Sequence, residues 1–551
     1  MDMRPTLAAS VILAGFALGA CSPRDEARSA AAPARPAPAP AAPAPAAAHA
    51  PADAARGDGI AWKQAASDAE VDAAFALARR EQKPVFLYWG AKWCPPCNQV
   101  QATLFNRVDF IERSRAFVPV YIDGDRPGAQ KLGNRFKVSG YPTMVLFSPG
   151  GAELTRLPGE VDPQQYTQLL TLGMNAQRPV KDVLADAQAG GRGLSPNDWK
   201  LLAFYSWETD EQQVVPKDRT PAVLAQLAAA CPADPPETAS RLLLKAVAAA
   251  DPKAGPRRDA AAREKVLKIL ADAPAARAQM DVLANAAADI TRALSAPGTP
   301  GRAALVAAFE TTLRRLEADA TLSRADRLTA LLARVDLAKI DAPKEAKPAL
   351  PPALLDEVRA HAARADREIT DGYERQAVVT AAAYMLATAG LLDDSDALLK
   401  GNLAKSHSPY YLMSQLASNA KKRGDPAGAL RWHEEAFARA EGPATRLQWG
   451  ASYVNALVEL APQDEARIER AVDALLAEAA AQPHAFYERS ARSLQRMGGR
   501  IAAWNEGSRH AAVMQRLRAK LDDICTRLPA DEAEQRRVCL GLLEGAKNAK
   551  T

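Results

Sequence analysis

Aromatic residues make up only 6% of this 551-residue chain, and histidine and cysteine are rarer still, with 6 of each. Each shortage excludes something. Between Ile60 and Met174 there is no histidine, and the cysteines there are Cys94 and Cys97, so the segment lacks the further ligands a zinc site demands. Copper(I) needs no more than two thiolates and stays open as a minor alternative. Basic residues form no long runs and the formal net charge is only +5, so neither nucleic acid nor an anionic membrane surface is implied as a partner. The apolar stretch Leu7 to Leu18 is too short for a stable membrane-spanning helix. Few aromatics and abundant alanine favour helices packed through small side chains, since alanine combines the highest helix propensity with a small footprint. The length exceeds what one hydrophobic core serves, which predicts two or more domains.

At the N-terminus Arg4 precedes that apolar stretch, which runs into Leu18-Gly19-Ala20-Cys21. The segment resembles a bacterial lipoprotein signal, in which a thiol directly after small residues receives the lipid; the alternative is an ordinary secretory signal with a chance cysteine. We therefore expect a signal peptide over 1–20, lipidation at Cys21, and anchoring to a membrane through the acyl chains. Ser22 in place of aspartate favours the outer membrane by resemblance to enterobacterial lipoproteins. Residues 21–59 are then a spacer, with Pro33, Pro36, Pro38, Pro40, Pro43 and Pro45 extending an alanine-rich tract. Export would make disulfides durable, so Cys94, Cys97, Cys231, Cys525 and Cys539 must each be paired, buried or reactive. An odd set leaves one alone, and Cys231 is the candidate.

From 60 to 178 the pattern is that of an α/β unit. Ser67-Asp68-Ala69-Glu70 is a capping box before an amphipathic helix, Val85 to Trp89 and Phe117 to Ile122 are buried strands, and Met144 to Phe147 pairs with Glu153 to Leu157 across Ser148-Pro149-Gly150-Gly151. Asp162-Pro163 opens a last helix. From 179 to 551 strand signals stop and helical periodicity continues. Asp393, Ala397 and Leu398 recur as Asp425, Ala429 and Leu430, an offset close to the tetratricopeptide period. Repeats are most legible over 374–480, with Tyr411 to Ala440 forming one helix pair that turns at Gly424-Asp425-Pro426.

The chemistry is concentrated in Trp93-Cys94-Pro95-Pro96-Cys97, which follows the Val85 strand, and in Tyr141-Pro142-Thr143, which precedes Met144. Two cysteines separated by two residues at a helix start can close a small disulfide ring, and the helix dipole helps hold the first as thiolate. With Lys83 to Trp89 before the pair and Tyr121-Ile122-Asp123 followed by Gly140-Tyr141-Pro142-Thr143 after it, about a fifth of the chain resembles the thioredoxin superfamily, especially thioredoxin and the C-terminal domain of the disulfide-bond protein DsbD. The resemblance implies that Cys94 is an exposed nucleophile and Cys97 the resolving thiol of a redox-active disulfide. It also implies that Trp93, Tyr141, a cis Pro142 and Thr143 bind substrate. Three departures stand out. Tyr88 occupies the place of a buried aspartate, Pro119 that of a strand lysine, and Pro95-Pro96 offers neither a histidine nor an amide hydrogen to the thiolate. The missing histidine favours a reducing or interchange role over a primary oxidant.

Cys525 and Cys539 flank a turn at Pro529-Ala530-Asp531 and read equally as a structural disulfide or as two buried thiols. His407, His433, His484 and His510 have no metal spacing and read as surface or packing residues, and the helical lysines and arginines as solvated faces. The fold class is thus an α/β thioredoxin-like domain followed by a large all-α, solenoid-like helical-repeat region. The expected function is exported thiol-disulfide exchange on protein thiols and disulfides, of reductase or interchange type, with no cofactor or metal, fed by a membrane electron donor or redox partner, and with the helical repeats docking clients. The alternative is an envelope scaffold whose repeats carry the function.

Overall fold

Strand β2 (Val85–Gly90) is buried at every position. Its side chains alternate between the two faces of the sheet, as the pleat requires. Val85, Leu87 and Trp89 join a core with Val120, Ile122, Val145 and Phe147, whereas Phe86 and Tyr88 face the opposite way with Met144 and Leu146. A strand buried on both faces must read as a continuous apolar run. Around it stand β1 (Lys63–Gln64), β3 (Val118–Asp123), β4 (Thr143–Phe147) and β5 (Glu153–Leu157), in the order β1-β3-β2-β4-β5. The sheet is mixed: β1, β3 and β2 run parallel, while β4 is antiparallel to β2 and β5 to β4. The computed structural model describes residues 59–138, 140–159, 162–210, 214–250, 259–343 and 350–544. The expected signal peptide, Cys21 and nearly all of the spacer lie outside them.

Helix α1 (Asp68–Glu81) starts at the capping box, with Ser67 and Glu70 exchanging side-chain and backbone bonds. Helix α2 (Pro95–Val100) is short and continues as a π-helical turn over Gln101–Phe105. Helices α3 (Val108–Ser114), α4 (Ala129–Phe136) and α5 (Pro163–Met174) complete the domain, and Asp162 caps α5 by accepting the Gln164 amide at 2.9 Å. The core above Phe86 does not stop at α5. It runs on through Val183, Trp199, Phe204, Leu224 and Leu242, so the sheet and the first helices of the C-terminal region share one apolar interior.

Nineteen further α-helices follow among the described residues, and none of the described helices is long and apolar enough to cross a membrane. Many begin on proline, which fixes a helical φ where the missing N–H has no intrahelical partner to lose; Pro196, Pro236, Pro300, Pro409, Pro426 and Pro443 are examples. The helices Pro409–Arg423 and Pro426–Arg439 form the antiparallel pair expected at Gly424-Asp425-Pro426. Gly424 closes the first at a positive φ of 77°, and Asp425 caps the second by accepting the Gly428 amide at 2.8 Å.

The arginines depart from expectation. Arg241, Arg334 and Arg302 are buried, each matched by carboxylates arriving from other elements: Asp281 for Arg241, Glu310, Glu317 and Glu357 for Arg334, and Asp341, in the turn after a neighbouring helix, for Arg302. A buried guanidinium is tolerable only when so paired, and a sequence read one helix at a time hides the partners.

Cys525 and Cys539 are bonded to one another and close the loop between the last two helices. Cys231 is free and half-buried, with burial pushing its thiol up to about 11, which leaves it weakly nucleophilic. Replacing Cys525 and Cys539 by serine is expected to weaken this helix pair by about 3 kcal/mol, the loop-closure entropy of such a short ring. Hydrogen exchange over residues 511–540 measures it, and unchanged protection would refute it.

Candidate functional site

The register Trp89↔Thr143 between β2 and β4 fixes the site. It sets the start of β4, with Pro142 just before it, beside the end of β2, from which the loop to Cys94 departs. The Tyr141–Pro142 peptide bond is cis, and Thr143 is buried with its hydroxyl donating to the Gly140 carbonyl at 2.9 Å. Cys94 is the N-cap of α2 and is disulfide-bonded to Cys97 in its first turn. Because Pro95 and Pro96 carry no N–H, the first helix amide able to reach the cap is that of Cys97, and it donates to Cys94 Sγ at 3.2 Å. That amide would remain to stabilise a Cys94 thiolate after reduction. Asn98 fastens the loop to the helix, its amide donating to the carbonyls of Lys92 and Cys94, both at 2.8 Å.

One feature corrects the expected exposed nucleophile. Cys94 is only 2% exposed and Cys97 3%. The C-terminal helices cover them. Trp93 stacks on Tyr411 at 6.0 Å and meets Trp449 edge-on at 5.1 Å, and Tyr410, Met413 and Ala436 join the same cluster as the two sulfurs. The Arg489 guanidinium lies 4.6 Å from the Trp93 ring centre and 4.9 Å from that of Tyr141, within cation–π range of both. Polar contacts reinforce the cover: Gln376 donates to the Trp93 carbonyl at 3.2 Å, and His407 Nε2 lies 3.1 Å from that of Lys92. Rather than presenting a free docking face, this part of the helical region is packed against the dithiol. His407 accordingly belongs to the site, a placement its sequence neighbourhood did not indicate.

Asp125 was also missed. Its carboxylate accepts from Trp93 Nε1 at 2.9 Å and from the Thr445 hydroxyl at 2.5 Å, so it links the cysteine loop to the helical region. Burial raises this carboxyl to about 6, with Asp123 adding to the rise and the bonds from Thr445 and Trp93 opposing it. Tyr88, at the place where the resemblance implies a buried aspartate, cannot supply that acid: burial drives its hydroxyl above the ordinary range, and its ring stacks on Tyr121 at 5.1 Å. An unfolded aspartate titrates near 3.9. The folded chain therefore holds the Asp125 proton more tightly than the unfolded chain. The resulting stability is fully present below about pH 4 and lost as pH rises to about 6. Asp125→Asn keeps an oxygen acceptor but cannot ionise, so it is expected to remove this fall. Urea unfolding of both chains at pH 4 and pH 7 checks it. Their stability difference should change by roughly 2–3 kcal/mol at most, and a constant difference would refute the assignment.

Among the described residues no group of three or more histidine, cysteine or acidic side chains is arranged to hold a metal ion. The aromatic partners of Trp93 did leave one trace in the sequence. In a chain so poor in aromatics, Tyr410, Tyr411, Trp432 and Trp449 crowd into a single stretch.

The sheet order, the cysteine pair at a helix start and the adjoining cis-proline define a thioredoxin-like dithiol domain. A family model described as a thioredoxin-like domain matches residues 71–173. Thioredoxin 1 of Chlorobaculum tepidum is 33% identical over 92 residues, which are 17% of this chain and 86% of that protein. The chain belongs to the thioredoxin-like family through this domain. The thiol:disulfide interchange protein DsbD 1 of Pseudomonas aeruginosa is 32% identical over 105 residues, 18% of this chain and 18% of the relative. DsbD of Pseudomonas fluorescens is 31% identical over 109 residues, 19% of each. The chain thus spans about a fifth of the length of these DsbD relatives. Together the fold, the cysteine pair and these relatives support a thiol-disulfide oxidoreductase.

Proposed function

We propose that the chain carries out thiol-disulfide exchange with protein clients, as a reductase or interchange protein facing the bacterial periplasm. The observation that carries the reading is the Cys94–Cys97 pair at the start of α2, with the Cys97 amide directed at Cys94 Sγ. In the reducing direction the Cys94 thiolate attacks a client disulfide, forming a mixed disulfide and releasing one client thiolate. The Cys97 thiolate then attacks Cys94 Sγ, closing the Cys94–Cys97 bond and releasing the second client thiolate. Two electrons pass to the client, and a partner dithiol must return them. The proline pair supports this direction, since it offers the thiolate no histidine and leaves the Cys97 amide as the first donor able to reach it. The DsbD relatives bear "thiol:disulfide interchange" in their names, in keeping with an interchange role. Of the residues the resemblance assigns to substrate, Tyr141 and Pro142 would line the client path, whereas Trp93 would join it only once its cover of Tyr411 and Trp449 opens, and Thr143 would act from beneath. A lipid on Cys21 would hold the chain at the outer membrane, and the mass of the mature N-terminal peptide tests that.

A second reading is favoured by the burial of both sulfurs: an envelope scaffold in which the helices carry the function and the disulfide is inert. Cys94→Ala separates the two. Loss of disulfide exchange with the folded helical region intact supports the oxidoreductase, whereas wild-type protein that never exchanges with a protein disulfide supports the scaffold.

A further inference from the structure

Beside the dithiol, against Pro96, Tyr141 and Pro142, the surface opens into a groove of about 600 Å³, within the size range of ligand clefts. One wall is the active-site edge itself, Pro96 with Tyr141 and Pro142. The other is formed by Trp207, Leu224 and Val282, which lie beyond the matched span of 71–173 and so are supplied by the helical region.

That second wall is built into the fold. The Ser206 amide donates to the Arg156 carbonyl of β5 at 3.0 Å, and a β-bridge joins Val138 to Asp210. The Arg156 side chain, fully buried, donates to the carbonyls of Thr209 at 2.8 Å, Lys137 at 2.9 Å and Phe136 at 2.6 Å. The loop carrying Trp207 is therefore held to the sheet by both backbone and side-chain bonds. Most charges along the groove are matched within the protein: Lys245 pairs with Glu208 at 2.7 Å and Asp281 with Arg241 at 2.5 Å, while Lys217 is an exposed member of the lining. What faces an occupant is mainly proline, tryptophan, leucine, valine and alanine.

We propose that this groove is the client-binding site, and that it takes an extended, uncharged, apolar polypeptide segment flanking the client's cysteine. The assignment rests on the exchange reading of Cys94 and Cys97. Its occupant follows from continuity and exclusion. The groove ends on Pro96 and Pro142, next to the cysteine pair, while the Trp93 flank is covered by Tyr411, Trp449 and Arg489. A folded protein face cannot lie across the dithiol as it is packed here, whereas the groove brings an extended segment up to Pro96 and Pro142 beside the pair. An apolar segment gains by leaving water there, whereas a charged one finds most of its potential partners already paired.

The probe is a fluorescein-labelled ten-residue peptide of alternating valine and serine, with no cysteine, so that binding is read independently of redox reactivity. Fluorescence anisotropy with the full-length oxidised protein is expected to show saturable binding. Ala249→Glu and Ala286→Glu alter small, partly exposed positions of the groove, the first at the end of one helix and the second within another, and each is expected to weaken binding at least tenfold. Absence of saturable binding to the wild type at millimolar protein, or binding undiminished in both variants, overturns the proposal. Failure of the exchange reading would look different: the peptide would bind and respond to both substitutions, yet Cys94 would never exchange with a protein disulfide.

Discussion

A Cys97→Ser chain is expected to accumulate as a covalent complex with its client, linked through Cys94, while Cys94→Ala accumulates none. Resolution requires a second thiolate in line with Cys94 Sγ, and Cys97 is the residue bonded to it. With serine there, the mixed disulfide lasts until an outside thiol attacks it. Turnover of a protein disulfide should fall by at least about a thousand-fold in either variant, because removing one member of a catalytic unit costs nearly as much as removing the whole. Non-reducing gels and mass spectrometry of the trapped species identify both the linked residue and the client. Equal trapping in the two variants would remove Cys94 from the role.

The second large effect concerns the cover over the sulfurs. In fully reduced protein, alkylation of Cys94 by iodoacetamide is expected to be slow, and to accelerate about tenfold or more in Tyr411→Ala and in Arg489→Ala. Tyr411 is partly exposed and stacks on Trp93 from outside, so its removal opens the cover with little damage beneath. Arg489 acts through a different contact, lying over both the Trp93 and Tyr141 rings. A desolvated cation–π contact is worth up to about 2 kcal/mol, enough to shift an opening equilibrium by more than tenfold. Rates followed peptide by peptide separate Cys94 from Cys231. If neither substitution changes the rate at Cys94, the packing seen here does not govern access to it.

Legibility in the sequence divides along the range of the interactions concerned. The Ser67 capping box, the Asp162-Pro163 start of α5 and the Gly424-Asp425-Pro426 turn were readable because each is completed within a few residues. So was the α/β pattern, since β2 announces a two-faced core by its own apolar run. Strand β1 was not: it is two exposed residues whose existence depends on pairing with β3. The covering of the dithiol was hidden for a stronger reason. Trp93 meets Tyr411 and Trp449 across more than three hundred positions of chain, and the crowding of aromatics near Tyr411 marks a contact surface without naming what it meets. Arg241 and Arg334 misled in the same way, looking like surface charges until Asp281 and Glu317 arrive from neighbouring helices. The groove wall at Trp207 likewise exists only through Arg156 and the bridge from Val138 to Asp210.

The central claim is that the Cys94–Cys97 bond opens and closes in the folded protein. Equilibrating the full chain in glutathione and dithiothreitol buffers, and following each cysteine-containing peptide by mass after quenching, gives the potential of this pair separately from that of Cys525 and Cys539. The account predicts a two-electron midpoint between about −180 and −270 mV, in the range of interchange and reducing dithiols. A midpoint below about −300 mV, where structural disulfides lie, or reduction that occurs only on unfolding, would contradict it.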